Sequence, residues 1–324
     1  MTTAQRDHAG FPRVGIGTGS LANAGGEGTF IATIRESWAR GMRYFDTAAL
    51  YLGGESERRL GVALEGLPRR ELFLSTKIGR YQNHTGSSID PQSKHSYFDY
   101  SAQATMRSVE RSLERLKVDR LDAVYIHDLD HRIGGDGYAA LFGKALREAY
   151  PALLRLKEQK VIGAVGIATM DWQACMEFAQ AAEIDVVMPA GEYSLLRTKS
   201  MPLLELCEKR GIHWIAASPF NSGILATGAR PDAFYHMRPA NSAALAQVSL
   251  LQRICDRHGV PLAAAALQFP LRRAAVSTIV FGAKSVEELD VATSLCSLNI
   301  PDAFWTDMEE FLAVTSDWET PIVA

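Results

Sequence analysis

Short apolar runs, many rich in β-branched residues, alternate along this chain with longer amphipathic stretches, the rhythm of repeated βα units. The pattern predicts strands at 13–17, 42–46, 72–76, 121–126, 162–167, 185–188, 212–217 and 277–280. It predicts helices at 28–40, 54–65, 100–116, 144–159, 171–182, 200–210 and 242–270, with 285–294 closing the series and a further helical pattern at 302–314. Eight strands in this rhythm suit an α/β fold of the closed (β/α)8 TIM-barrel type. An open doubly wound sheet satisfies the same rhythm, because periodicity does not report closure.

Three long connections, 80–98, 128–143 and 219–240, follow strands whose ends share one face of such a barrel. Loops of that length in a compact domain usually carry function, so these are expected to determine substrate choice. The tail beyond 302–314 ends in SDWETPIVA and either crosses the pocket or packs below it.

With 324 residues, 47% of them hydrophobic, and no linker-like stretch, the chain reads as one barrel domain spanning 1–324. Its 34 basic and 37 acidic residues leave a net charge of −3, which gives no footprint for nucleic acid or anionic lipid. Cys175, Cys207, Cys255 and Cys296 are widely spaced and read as reduced thiols of a cytoplasmic protein. The start, MTTAQRDHAG, lacks an apolar leader, and no apolar stretch approaches the roughly 18–20 residues of a membrane span. A soluble, cytoplasmic protein with no membrane partner is expected, and no pattern in the chain specifies an oligomeric state.

Candidate chemistry lies at the predicted strand ends. Asp46 follows RYF, Tyr51 lies just beyond it, Lys77 follows LFLST and His127 follows AVYI. A parallel barrel gathers the C-terminal ends of its strands around one pocket, so these four distant residues are expected to meet. Asp46 can hold Lys77 charged, and Lys77⁺ beside the Tyr51 hydroxyl favours phenolate, giving a tyrosine able to exchange protons near neutral pH.

The glycine-rich start GIGTGS (15–20) fails as a dinucleotide fingerprint: Ser20 stands where the third glycine belongs and no acidic residue follows at the required distance. Gly282-Ala283-Lys284-Ser285 is a better anion-binding candidate, because it lies where the last strand turns into a helix. Ser285 and Glu288 have capping-box spacing, and free backbone N–H groups at a helix start attract anions. A well-capped helix alone accounts for the same residues.

The segments GMRYFDTAALY (41–51), STK (75–77), LDAVYIH (121–127) and FGAKSVEEL (281–289) resemble the aldo-keto reductase superfamily, and the resemblance runs almost end to end. Within it, FDYSAQATMRSVERSLERL (98–116), IHDLD (126–130) and the interval from DVVMPAGEYSLL (185–196) to SPFNSGIL (218–225) look most like bacterial aldose 1-dehydrogenases of the D-threo-aldose or L-fucose type and pyridoxal 4-dehydrogenases. The resemblance implies that Tyr51 gives or takes the proton, Lys77 and Asp46 tune it, and His127 orients the substrate oxygen, with Asp128 beside it.

It also implies an NAD or NADP cofactor. SPFNSGIL would cross the pyrophosphate, with Ser218, Asn221 and Ser222 as donors, Phe220 beside them and Gly223 allowing close approach. Gly282, Ala283, Lys284, Ser285 and Glu288 would receive the adenosine phosphate, and Gly17 and Asp46 complete the expected contacts. Members that prefer NADPH carry basic residues where this chain has Gly282 and Glu288; a carboxylate repels the 2′-phosphate and accepts a ribose hydroxyl, so NAD is expected. Lys284 keeps NADP open. The chain departs from the family at the nicotinamide end, with Met170 and Ala190 in place of Asn and Gln, and Ala217 in place of a stacking aromatic.

The expected reaction is oxidation of the anomeric carbon of a cyclic aldose to a lactone. Gly19, where the family often has a large aromatic, predicts a wide mouth that suits a polyhydroxylated ring. Pyridoxal oxidation or general aldehyde and ketone reduction are the neighbouring readings. Two readings of other classes are a metal-dependent hydrolase using His127, Asp128, Asp130 and His131 of the HDLDH loop as ligands, and a regulatory barrel that binds the dinucleotide without turnover.

Overall fold

The computed structural model describes residues 10–82, 96–315 and 318. Eight parallel strands close into a barrel: β1 (Val14–Gly17), β2 (Tyr44–Asp46), β3 (Phe73–Ile78), β4 (Leu121–His127), β5 (Ile162–Thr169), β6 (Val186–Pro189), β7 (His213–Ala217) and β8 (Val276–Phe281). Hydrogen bonding from β1 to β8 completes the ring, with Val14 opposite Ile279. Closure, which periodicity left open, is therefore settled in favour of the (β/α)8 barrel.

Side chains alternate between the barrel interior and the helical layer. Tyr44, Ala123, Tyr125, Ala164, Ala168, Val186, Met188, Ile215 and Val280 form the interior cluster. At its centre the Tyr44 and Tyr125 hydroxyls meet at 2.8 Å, which satisfies two polar groups that burial would otherwise penalise. Phe11 stacks on Phe73 and His213 at 4.8 and 4.2 Å. Both partners begin their strands, so the aromatic group closes the N-terminal end and leaves the other end for a site.

The outer helices form where side chains cap them. Ser101 accepts from the Ala104 N–H ahead of Ala102–Leu116, Asp171 accepts from Gln173 and Ala174 ahead of Trp172–Ala181, and Ser285 accepts from Glu288 ahead of Val286–Cys296. The helix expected over 242–270 is broken. Gly259 ends Ser242–His258 in a left-handed conformation, and Pro261 precedes the new helix Leu262–Gln268. The segment 144–159 extends back to Tyr138 through a π-helical turn at Ala145–Ala149.

A helix was not expected at Thr18–Ala24, where Gly15, Gly17 and Gly19 lower local propensity. Burial of Thr18, Leu21 and Ala22 stabilises it instead. Two hairpins, Arg80–Gln82 with Ser96–Phe98 and Phe234–Tyr235 with Arg238–Pro239, stand on the long connections. Most of the 80–98 connection lies outside the described residues. So does the SDWETPIVA tail apart from Trp318, which packs on Tyr235 and donates its indole N–H to the Leu196 carbonyl at 2.8 Å. No helix among the described residues is long and apolar enough to cross a membrane, and all four cysteines are buried and unpaired.

Candidate active site

Register brings the charged residues together. Asp46 at the end of β2 lies opposite Ser75 of β3, and Lys77, two residues further on, projects to the same side. Lys77 Nζ donates to Asp46 Oδ2 at 2.6 Å and to the Thr47 carbonyl at 2.8 Å, while the Ser75 hydroxyl donates to Asp46 Oδ1 at 2.6 Å. Burial opposes the charge on Lys77, yet Asp46 and then Tyr51 more than offset it and hold the amine above its ordinary range.

Tyr51 opens a short 3-10 turn, Tyr51–Gly54, just past β2. Its ring centre lies 5.0 Å from Lys77 Nζ and 6.1 Å from the His127 ring, edge-on at 81°. The expected phenolate does not follow. Burial pushes the Tyr51 phenol above its usual range, and although Lys77 pulls it down, Asp46 and Asp128 push with the burial. Burial outweighs the nearby cation, so the resting group is a protonated phenol.

His127 ends β4, and burial lowers its imidazole to about 4. It is a neutral ring at neutral pH. Its Nδ1 is buried with no hydrogen-bond partner, and its Nε2 lies 3.5 Å from Asp128 Oδ2. Asp128 itself has a left-handed backbone, φ 51°. All four catalytic candidates and Asp128 line one cavity of ≈ 1060 Å3.

The cavity runs from Gly17, Asp46 and Tyr51 past Ser218, Phe220, Asn221, Ser222 and Gly223 to Gly282, Lys284 and Glu288. One cavity thus joins Tyr51 to a capped helix start, and its volume and lining leave room for a dinucleotide. Several expected contacts differ in detail. Asn221 is buried, its Oδ1 accepting from Ser194 at 2.5 Å and its amide donating to the Gly191 carbonyl at 3.0 Å, so it holds the loop rather than offering a free amide. The Ser222 hydroxyl accepts from the Met237 N–H at 2.9 Å and keeps its own proton to donate.

Ala283 is buried and Ser285 is occupied as the cap, and neither residue lines the cavity, unlike Gly282 and Lys284 beside them. Glu288 reaches back to the Lys284 N–H at 2.8 Å, one residue before the cap, and its carboxylate stands at the groove.

Met170, Ala190 and Ala217 line the groove as well. A Cβ at Gly19 would come 3.4 Å from Tyr51 Cζ, so glycine here keeps space open over the phenol. The ligand set of the metal-hydrolase reading does not converge. Asp130 caps Ile133 and accepts from Thr169 at 2.5 Å, and His131 turns to Asp171 and Glu177 at 2.9 and 3.2 Å.

Sequence reasoning missed Arg80, Arg132 and His236, which also line the cavity. Arg80 follows Gly79, whose φ of +96° and close approach to Tyr100 admit no side chain. A cation directly after a glycine at a strand end was the available signal. His236 sits at a hairpin tip, where burial and then Arg197 and Arg132 lower it to about 4; nothing in its local sequence marks it.

The model described as "Aldo/keto reductase family" matches residues 13–313. D-threo-aldose 1-dehydrogenase of a Pseudomonas species is 32% identical over 316 residues, covering 93% of this chain and 94% of that protein. Pyridoxal 4-dehydrogenase of Microbacterium luteolum is 33% identical over 295 residues, covering 86% of each. Among solved structures, the holo form of an aldo-keto reductase from Bacillus halodurans superposes with a TM-score of 0.72 at 21% identity, covering 96% of this chain and 95% of that one.

Proposed function

The chain belongs to the aldo/keto reductase family of NAD(P)-dependent oxidoreductases, and from that premise we propose that it oxidises the anomeric carbon of a cyclic aldose to the lactone, with Tyr51 as acid-base group. The supporting observation is the convergence of Asp46, Tyr51, Lys77 and His127 at one end of a cavity whose wall also carries Arg80, Gln82, Ser96 and Asp128. Arg80, Asp128 and Ser96 are already bonded to one another, and they form a fixed polar patch at which ring hydroxyls can add further hydrogen bonds. Similarity to a D-threo-aldose 1-dehydrogenase along nearly the whole chain supports the same substrate class.

A bound nicotinamide dinucleotide supplies the hydride acceptor. The protein's own groups manage the oxygen and its proton. As the C1–H bond breaks with its electron pair, the C1 hydroxyl proton passes to ionised Tyr51 and the C1–O bond becomes the lactone carbonyl. Lys77 steadies the phenolate, and Asp46 keeps Lys77 charged and fixed in place. The neutral imidazole of His127 donates to the substrate oxygen without competing for its proton. In the reverse direction the protonated Tyr51 delivers its proton to a carbonyl.

We assign NAD rather than NADP as the preferred cofactor, because the Glu288 carboxylate, held at the helix start by the Lys284 N–H, disfavours a 2′-phosphate. Lys284, which lines the same cavity, leaves NADP usable. The test is formation of reduced cofactor with a panel of aldoses and with pyridoxal. Aldoses of one configuration series are expected to be the best substrates; turnover of pyridoxal with none of any aldose would overturn the assignment.

A further inference from the structure

We propose that Arg80 is a positioning residue: by pinning the Asp128 carboxylate beside His127, it fixes that imidazole as a neutral ring whose single proton sits on Nε2. Arg80 is the first residue of the hairpin that follows β3. Its guanidinium is buried and donates to Asp128 Oδ2 at 2.7 Å, with Ser96 Oγ at 3.1 Å from the second terminal nitrogen. The same Asp128 oxygen lies 3.5 Å from His127 Nε2. Three elements, the hairpin, the loop after β4 and the end of β4 itself, are thereby joined through one carboxylate oxygen.

The carboxylate decides the tautomer. With the proton on Nδ1, the Nε2 lone pair would face an anionic oxygen 3.5 Å away; with the proton on Nε2, the contact is attractive. Nδ1 then keeps its lone pair, in agreement with its lack of any partner. Since Nδ1 is sealed inside the protein, Nε2 is the nitrogen available to the cavity, and a donor there is what a substrate oxygen needs.

The guanidinium also balances the charge. Besides Asp128, the groups facing His127 are Lys77 on β3, Arg80 on the hairpin and the uncharged Tyr51 phenol, with Tyr100 donating to the His127 carbonyl at 2.7 Å. Asp128 in turn faces His127, Arg80 and Arg132. Asp128 favours an imidazolium; Lys77 and Arg80 oppose it, as burial does. Without Arg80, an unpaired carboxylate beside His127 would draw a proton onto the ring, place a second cation next to Lys77 and loosen the Asp128 side chain.

The catalytic consequence rests on the proposed role of His127, but the titration of its ring does not, so the test reads the ring directly. In protein labelled with 15N-histidine, with the His127 signals assigned through His127→Gln, the wild-type ring is expected to titrate at about 4 and to show an Nε2–H signal at neutral pH. Arg80→Met should raise the midpoint, because a cation opposing the imidazolium is removed while the Asp128 carboxylate remains. Arg80→Met with Asp128→Asn should return it to about 4, because the drawing charge is gone. Circular dichroism and quenching of protein fluorescence by the dinucleotide check that each variant folds, and Arg80→Gln carries the same test if Arg80→Met does not.

In turnover, Arg80→Met should add an acidic limb to kcat/KM that the double variant lacks. An unmoved His127 midpoint in folded Arg80→Met, or an equal shift in the single and double variants, would overturn the proposal. Failure of every sugar tested would instead count against the substrate assignment and leave the ring titration standing.

Discussion

Lys77 Nζ lies 2.6 Å from Asp46 Oδ2 and 5.0 Å from the centre of the Tyr51 ring, so one ammonium serves a buried carboxylate and a buried phenol together. Tyr51 is raised, by burial first, despite Lys77. Two directions of one reaction then differ in pH dependence. Reduction uses the protonated phenol and should be level across neutral pH, falling only when Tyr51 ionises. Oxidation uses the phenolate and should climb as pH rises toward that raised value. Rates measured both ways from pH 6 to about 10 check this; an oxidation rate flat from neutral pH upward would show a phenol already ionised there.

Removing the cation should act on both proton transfer and stability. Lys77→Met takes away the one group pulling the Tyr51 phenol strongly downward, so the alkaline limb should move further up. It also leaves Asp46 buried without its ion pair, a loss of about 3–5 kcal/mol in such settings. Asp46→Asn combined with Lys77→Met should recover much of that stability while remaining slow. Denaturant unfolding separates the effects, and equal stability of the single and double variants would mean that Asp46 is satisfied by Ser75 alone.

Cofactor choice can be altered without breaking the helix cap. Glu288→Gln keeps a side chain able to bond the Lys284 N–H but removes the charge. The ratio of kcat/KM for NAD⁺ over NADP⁺ should fall by about tenfold, the effect of roughly 1.4 kcal/mol of relieved repulsion. Glu288→Arg should lower it further by pairing with the phosphate. A ratio unchanged in both variants would place the discrimination elsewhere in the groove.

Gly19 offers a test of cavity size. Alanine there meets Tyr51 at an ordinary 3.4 Å contact and should be mild, whereas Gly19→Trp should fill the space over the phenol. The KM for an aldose should then rise at least about tenfold, equivalent to 1.4 kcal/mol, with much less change for a small aldehyde. Parallel losses on both would show that the substituent disturbs Tyr51 itself.

What the sequence disclosed depended on how local the cause was. β2, β3 and β4 carry their own apolar runs, so the positions of Asp46, Lys77 and His127 at strand ends were readable directly. The capping pair Ser285 and Glu288 was readable for the same reason, lying three residues apart. Closure of the barrel was not, because the pairing of Val14 with Ile279 joins opposite ends of the chain. Thr18–Ala24 was hidden by glycines whose low propensity is overridden by burial of Leu21.

The electrostatic sign at Tyr51 was misread because it needs the competition among burial, Asp46 and Lys77 rather than the presence of a lysine. Arg80 escaped notice because its hydrogen-bond partner, Ser96, lies beyond a long connection and its ion-pair partner, Asp128, lies past another strand end.

The central claim is that Tyr51 transfers the proton in an NAD(P)-linked oxidation or reduction. Its most direct test is the turnover of Tyr51→Phe beside wild type, with fluorescence quenching by the dinucleotide measured on both proteins. The account predicts unchanged quenching and a turnover lower by about 10²–10⁴, whichever sugar or aldehyde proves best. A folded Tyr51→Phe that binds the dinucleotide and turns over near the wild-type rate would contradict it.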